Sequence, residues 1–354
     1  MCVILIKILE VSLLNKYVIN ILQPNSYNAM SKAKDDVNHF LNELNFQSIN
    51  VRKFKNKFEK FAKTRLVIDK KFGFLQQGDI LLMQFPTYLG RRFERKLITR
   101  LKQRHVKLLV LVHDLDILRF SNKDGSHIPT LKMDVEDLNE YDVVISSNSK
   151  MTELLQKNGL KRPVVDLEIF DYYYSKPVSK LPKFETTLNF AGNLKKSEFL
   201  YDFSDTLQTK LRLFGLYDKS LKLPKQSEYC GIFTPEDLII HLDRGFGLVW
   251  DGLSSKAIEG KLGNYLKYNN PHKTSLYLAS GLPIVMWSGA ALSSFISENH
   301  IGILIESLDD IDQVLEKISE PDYIMMARNA QKLSEKITSG YFVKNAVNAA
   351  LSKI

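Results

Sequence analysis

The chain has 354 residues, a net charge of +9, 44% hydrophobic and 25% charged residues. This composition excludes a disordered chain, a collagen-like fibre and a polytopic membrane protein, and at about 150 residues per domain the length predicts two domains. Two cysteines, Cys2 and Cys230, without Cys/His spacing of zinc type, exclude a disulfide framework and fit a reducing, cytoplasmic setting.

Residues 1–16 hold an apolar run broken by Lys7 and Glu10. It is shorter than the about 20 residues that span a bilayer, and no small-residue cleavage site follows, so an extension ahead of the first strand is expected. Tyr17–Leu22 reads as a strand and Ala29–Leu44 as a helix with Ala33, Val37, Phe40, Leu41 and Leu44 on one face. Ser48–Val51 suits a second strand. Ile80–Phe85, introduced by Gly78 and stopped by Pro86, is a buried strand. Arg91–Arg104 is a helix with Phe93, Leu97, Ile98 and Leu101 inward, and the apolar run Lys107–Val112 suits a parallel strand covered on both faces. Asp142–Ile145, the helix Ser149–Lys157 and Val164–Leu167 complete the first series. Tyr172–Lys183, with two prolines and no periodicity, reads as a linker.

A second series follows. Its strands are Thr187–Phe190, Leu211–Phe214, Gly247–Trp250, Pro283–Met286 and Gly302–Ile305, and its closing helices are Asp309–Ile318, Asp322–Ile337 and Asn345–Ser352. The fold class is therefore α/β, with two Rossmann-like doubly wound domains and an interdomain cleft. The expected domains are 17–171 and 187–340, joined by a linker over 172–186. A C-terminal helix over 341–354 is free to pack back on the first domain.

Charge is unevenly placed. Val51–Lys107 carries 17 Lys and Arg against four acids, and the rest of the chain carries 32 against 36. Nucleic acid, a membrane surface and acidic substrates are all candidate partners for such a stretch.

In open α/β sheets ligands bind at the carboxyl ends of strands, and several of these ends are polar here. After Phe190 come Gly192, which allows close backbone approach, Asn193, and Lys195 and Lys196, which suit phosphate. A plain turn with solvated lysines has the same composition. Pro271 sits where a helix would start. The amides and dipole of that first turn make an anion site, to which Lys273 adds charge and Thr274 and Ser275 hydroxyls; a capped surface helix is the plainer reading. After Val112, His113 or Asp114 could serve as a general base or position a ligand. Asp114 and Asp116 have the spacing of a two-carboxylate metal motif, or simply cap a turn. Asp251 could accept hydroxyl groups, while Trp250 suits either core or stacking.

The segments NNPHKTSLYLASGLPIV, FAGNLKKSEFL, FGLVWDG and LVHDLDILR resemble the bacterial galactofuranosyltransferases of O-antigen and capsule synthesis. More distantly they resemble the glucosyltransferases that extend O-linked GlcNAc on serine-rich adhesins. The resemblance runs from about Tyr17 onward. It implies a GT-B fold with a nucleotide-sugar donor held mainly by the C-terminal domain. The phosphate-binding lysine falls on Lys273, with Asn270, Pro271, His272, Thr274, Ser275 and Leu276 as neighbours, and the basic residue after the Gly-Asn turn falls on Lys196. Many retaining GT-B enzymes have a ribose-binding glutamate where this chain has Leu276. The N-terminal loop maps to Gln23–Ser31, so Asn25, Ser26 and Tyr27 would face the acceptor.

The resulting expectation is a UDP-sugar-dependent hexosyltransferase needing neither metal nor cofactor, with Lys273, Lys196 and the helix start at Thr274–Ser275 on the diphosphate. Asp114, His113 and Asp116 are its candidate catalytic residues, and closure about the linker would exclude water. Galactofuranose transfer to a lipid-linked oligosaccharide comes first, and glucose transfer to a glycosylated adhesin second. The basic stretch would dock on the anionic inner face of the plasma membrane, with a homo-oligomer compatible. A GT-A enzyme using manganese on Asp114 and Asp116, and a basic nucleic-acid binder, are the alternatives; the chain lacks helix-turn-helix, RNP and zinc modules, so nucleic acid is not expected.

Overall fold

A computed structural model of the chain describes residues 14–22, 29–119, 130–176, 178–218, 220 and 222–354. Among these, 14–117, 130–167 and 342–354 form one compact unit, and 168–341 with 118–119 form another.

The first unit alternates β1 (Lys16–Leu22), α1 (Ala29–Glu43), β2 (Phe46–Arg52), α2 (Lys57–Phe72), β3 (Ile80–Phe85), α3 (Arg91–Lys102) and β4 (Lys107–Val112). It continues through α4 (Asp116–Arg119), α5 (Leu131–Leu138), β5 (Val143–Ser146), α6 (Ser149–Lys157) and β6 (Val164–Asp166). Its six strands lie in the order β2-β1-β3-β4-β5-β6, all parallel. β3 is buried at every position and β4 at all but its first, as the unbroken apolar runs predict. The chain moves outward from β1 to β2 and then returns to β1's other side with β3. That reversal opens a crevice at the carboxyl ends of β1 and β3.

The second unit runs β7 (Lys183–Ala191), β8 (Lys210–Phe214), β9 (Ser227–Gly231), α7 (Pro235–His241), β10 (Arg244–Val249), α8 (Gly260–Tyr265) and α9 (His272–Ala279). It closes with β11 (Ile284–Trp287), α10 (Ser293–Glu298), β12 (Gly302–Ile305), α11 (Ile311–Glu316) and α12 (Glu320–Thr338); α13 (Tyr341–Leu351) follows. The strand order is β12-β11-β10-β7-β8-β9, again parallel, with the reversal between β7 and β10. Phe190, Phe246, Leu248, Trp250, Val285 and Tyr323 are central to its core. Trp250 is core rather than a stacking surface: it is fully buried and its Nε1–H donates to the Ser254 carbonyl at 3.0 Å.

The stretch read as a linker is packed at its start. Phe170, Tyr172 and Tyr174 are buried. The Tyr172 amide donates to the Ile337 carbonyl at 3.1 Å and its hydroxyl to the Pro235 carbonyl at 3.3 Å. All of these partners belong to the second unit. Residues 342–351, in contrast, cluster with the first unit, where Lys344 Nζ meets Glu43 at 2.5 Å.

Candidate functional site

The second unit gathers its candidate residues around the β7/β10 reversal. The Gly192–Asn193 turn leaves β7, Asp251 follows β10, and α9 begins just after Pro271. Three contacts lock this arrangement. The Ala191 amide donates to the Tyr277 hydroxyl oxygen at 2.8 Å, tying the turn to the buried side of α9. Gly247 lets that helix approach β10, because a Cβ there would lie 2.3 Å from Tyr277 Cγ. Gly215, at φ +133°, lets β8 run under the turn, where a Cβ would lie 1.8 Å from the Gly192 carbonyl oxygen.

Lys273 stands in the middle of this frame. Its Nζ lies 4.2 Å from the centroid of the Phe190 ring and 3.9 Å from where a Cβ on Gly192 would be. Burial lowers the ammonium below its ordinary pKa, and the Asp251 carboxylate opposes that shift. The charge is thus held in a poorly solvated place, where it acts strongly on a nearby anion. The N-terminal end of α9 adds the partial positive charge of the helix dipole beside it.

The other donor-side candidates divide. Asn193 and Lys196 are exposed at the turn, and no ion pair holds Lys196 among the described residues. Lys195 instead pairs with Asp218 at 3.0 Å, and the Ser220 hydroxyl, followed by Lys195, holds the Asp218 carboxyl down at about 2. Asp251 is half-buried and its Oδ1 accepts from the Gly252 amide at 3.0 Å. The Ser275 hydroxyl donates to the Phe170 carbonyl at 2.7 Å, and Asn270 Nδ2 to the Glu168 carbonyl at 3.1 Å. Thr274 and Leu276 are buried. The His272 ring stacks on Tyr172 with centroids 5.1 Å apart and planes at 29°. Pro271, half-buried, accepts from the Thr274 amide at 2.9 Å and so begins the helix. Ser275, Asn270 and His272 therefore seat α9 on residues 168–172, a role that local sequence does not show.

The first unit has its own polar crevice at the β1/β3 reversal, a cavity of about 190 Å³ lined in part by Asn20, Lys34, Asn38, Gln84 and Thr87. Here five side chains from five segments form a head-to-tail relay. Gln84 Nε2 donates to Asn38 Oδ1 at 2.8 Å, Asn38 Nδ2 to Asn20 Oδ1 at 3.1 Å, and Asn20 Nδ2 to Asn50 Oδ1 at 2.8 Å. With its amide nitrogen so engaged, Gln84 turns Oε1 to His113 Nε2 at 2.7 Å. An amide oxygen only accepts, so His113 carries a proton on Nε2. That nitrogen is a donor, not a base, and the ring is 6% exposed.

Asp114, half-buried at the same strand end, and Asp116, 3.5 Å from the Tyr88 hydroxyl, both act on the ammonium of Lys34. Lys34 is buried, donates to the carbonyls of Gln84 and Pro86, and is lowered to about 8, chiefly by burial. The amide relay and Lys34 were missed in the sequence; the available signal was Asn20 and Gln84, polar residues inside otherwise apolar strands. Among the described residues, no group of three or more His, Cys, Asp or Glu is placed to hold a metal. The candidates Asn25, Ser26 and Tyr27 lie outside the described residues.

Comparison with known proteins agrees with this layout. Residues 15–169 match the family model for the Glucosyltransferase 3-like N-terminal domain, and residues 188–350 match that for the C-terminal domain. The chain is 32% identical to the beta-1,6-galactofuranosyltransferase WbbI of Escherichia coli (strain K12) over 287 residues, 79% of this chain and 81% of that protein. It is 26% identical to glucosyltransferase 3 of Streptococcus gordonii over 324 residues, 91% and 94% of the two chains. An alpha-glucosyltransferase (AGT) solved in complex with UDP shares the fold, with a TM-score of 0.59 at 13% identity, over 95% of this chain and 99% of that one. Two parallel α/β units, each with its polar crevice at a strand reversal, and family matches over both halves lead to one conclusion: the chain belongs to the glucosyltransferase 3-like family of GT-B glycosyltransferases.

Proposed function

We propose that the protein transfers a hexosyl group from a UDP-sugar, with galactofuranose as the sugar and a lipid-linked oligosaccharide of surface polysaccharide synthesis as the acceptor. The observation that carries this reading is Lys273, an ammonium held beside the Gly192 turn at the start of α9. As the glycosidic bond breaks, negative charge grows on the leaving diphosphate. Lys273, the α9 amides and the exposed Lys196 meet that charge, a task that a metal ion performs in other transferases. Asp251 accepts hydroxyls of the donor. On the acceptor side Asp114 is the base: His113 Nε2 is already engaged with the Gln84 amide oxygen, and the half-buried carboxylate of Asp114 can take a hydroxyl proton. Asp116, Asn25, Ser26 and Tyr27 complete the acceptor side, and the enzyme works at the cytoplasmic face of the membrane.

The identity with WbbI over most of both chains supports galactofuranose. A second reading, glucose transfer to O-GlcNAc on a serine-rich glycoprotein, draws on the longer alignment with glucosyltransferase 3. A donor panel separates them: turnover with UDP-galactofuranose is expected, and turnover with UDP-glucose alone refutes the first reading. Lys273→Ala is expected to weaken UDP binding in calorimetry at least roughly tenfold, the scale of one lost charge-assisted contact. Unchanged affinity would remove Lys273 from the site.

A further inference from the structure

An exposed helix normally turns polar side chains outward. α2 departs from this pattern. Thr64, Ile68 and Phe72 face the core. The outer face nevertheless carries Phe58, 80% exposed, and Leu66, 64% exposed, in an i, i+4, i+8 stripe with Ala62 between them. Phe61, 64% exposed, adjoins the stripe, with the Arg92 guanidinium 4.5 Å from its ring centroid. Large apolar side chains clustered on a surface mark an interaction site.

The surrounding charge identifies the occupant. Residues 51–75 contain nine Lys and Arg and two acids. Both acids are engaged: Glu59 with Lys63 at 2.9 Å, and Asp69 with Arg65 at 3.8 Å and Arg100 at 3.7 Å. Lys57, Lys70 and Lys71 have no ion-pair partner among the described residues. Part of the remaining basic excess is paired inside the unit. Arg91 pairs with Asp134 and Asp137, Arg95 with Asp137 and Lys102 with Glu140. Lys57, Lys70 and Lys71 leave α2 with basic surface open to a partner, beside its exposed apolar stripe.

We infer that the outer face of α2 docks on an anionic lipid bilayer, with Phe58, Phe61 and Leu66 entering the headgroup–acyl boundary and the lysines around them meeting lipid phosphates. An apolar stripe rimmed by cationic side chains has the chemistry of a helix lying in a membrane interface. A second copy of the chain is a poorer occupant, because pairing the stripe with itself brings like charges together. Among the described residues no helix is long and apolar enough to cross a membrane, so an interfacial contact is the kind these elements can make. The inference does not depend on the donor or the reaction.

The test is sedimentation of the full chain with vesicles of phosphatidylcholine alone and of phosphatidylcholine mixed with phosphatidylglycerol. Roughly tenfold tighter binding to the mixed vesicles is expected, weakening as salt is raised. Phe58→Ser/Leu66→Ser and Lys57→Glu/Lys70→Glu/Lys71→Glu are each expected to lose most of it while binding UDP in calorimetry like the wild type. Equal binding to both vesicles, binding to neither, or binding unchanged in both variants overturns the proposal. So does a dimer that dissociates in the serine variant without vesicle binding, which would assign the stripe to a second copy.

Discussion

Lys34 shows how a buried charge couples to the crevice beside it. Its ammonium donates to two backbone carbonyls and sits among the charges of Asp114, Glu94 and Asp116, yet burial wins and lowers it to about 8. In the unfolded chain the same amine titrates near 10.5. Between these values the unfolded state binds the extra proton, so stability rises with pH across that window and the burial penalty is greatest below it. The difference in unfolding free energy between wild type and Lys34→Met should therefore shift in favour of the wild type from pH 8 to 10.5, by on the order of 3 kcal/mol. Denaturant melts at three pH values would measure it, and a flat difference would mean the amine is solvated. The two halves of the candidate site differ in how far the sequence revealed them. The Lys273 segment and the Gly192–Asn193 turn are local motifs, read directly from neighbouring residues. The relay of His113, Gln84, Asn38, Asn20 and Asn50 joins residues 18 to 46 positions apart, and only the fold brings them together.

Elements with one buried face or two were read closely. β3 and β4 have the bounds the apolar pattern predicts, because burial dictates their side chains, and α6 has the bounds that its Asn148 cap and Gly159 predict. α2 and β9 were missed for opposite reasons. α2 carries apolar residues on both its inner and outer faces, which erases the amphipathic period. β9 is a short polar edge strand whose residues stay partly or fully exposed, so no apolar run announces it. The helix that matters most to the site, α9, is held by close approach as much as by its own pattern. Gly247→Ala would drive a methyl group into Tyr277, whose hydroxyl holds the Ala191 amide. We expect it to destabilise the protein by about 1–3 kcal/mol and to weaken UDP binding together with stability. A variant that loses stability while keeping its UDP affinity would show that the turn and helix are positioned independently.

In the molecule as a whole, the two units are not consecutive in sequence. The first is built from residues up to 167 and then again from 342 onward, with 168–341 folding as the other. Val343, Val347 and Ala350 are fully buried on α13. Val347→Asp would bury an unpaired carboxylate, a change worth several kcal/mol. Limited proteolysis of that variant should cut faster within residues 14–167 while sites in 168–341 keep wild-type rates; uniform acceleration would mean the two units melt as one. The same connectivity governs the order of events at the ribosome. Translation proceeds at about 5–20 residues per second, so the stretch from 168 to 341 separates the first unit's strands from its last helix by roughly ten to thirty-five seconds. During that interval the nascent chain holds the six strands of the first unit without the helix whose Lys344 pairs with Glu43 of α1. The second unit can therefore close before the first, reversing the usual N-terminal-first sequence.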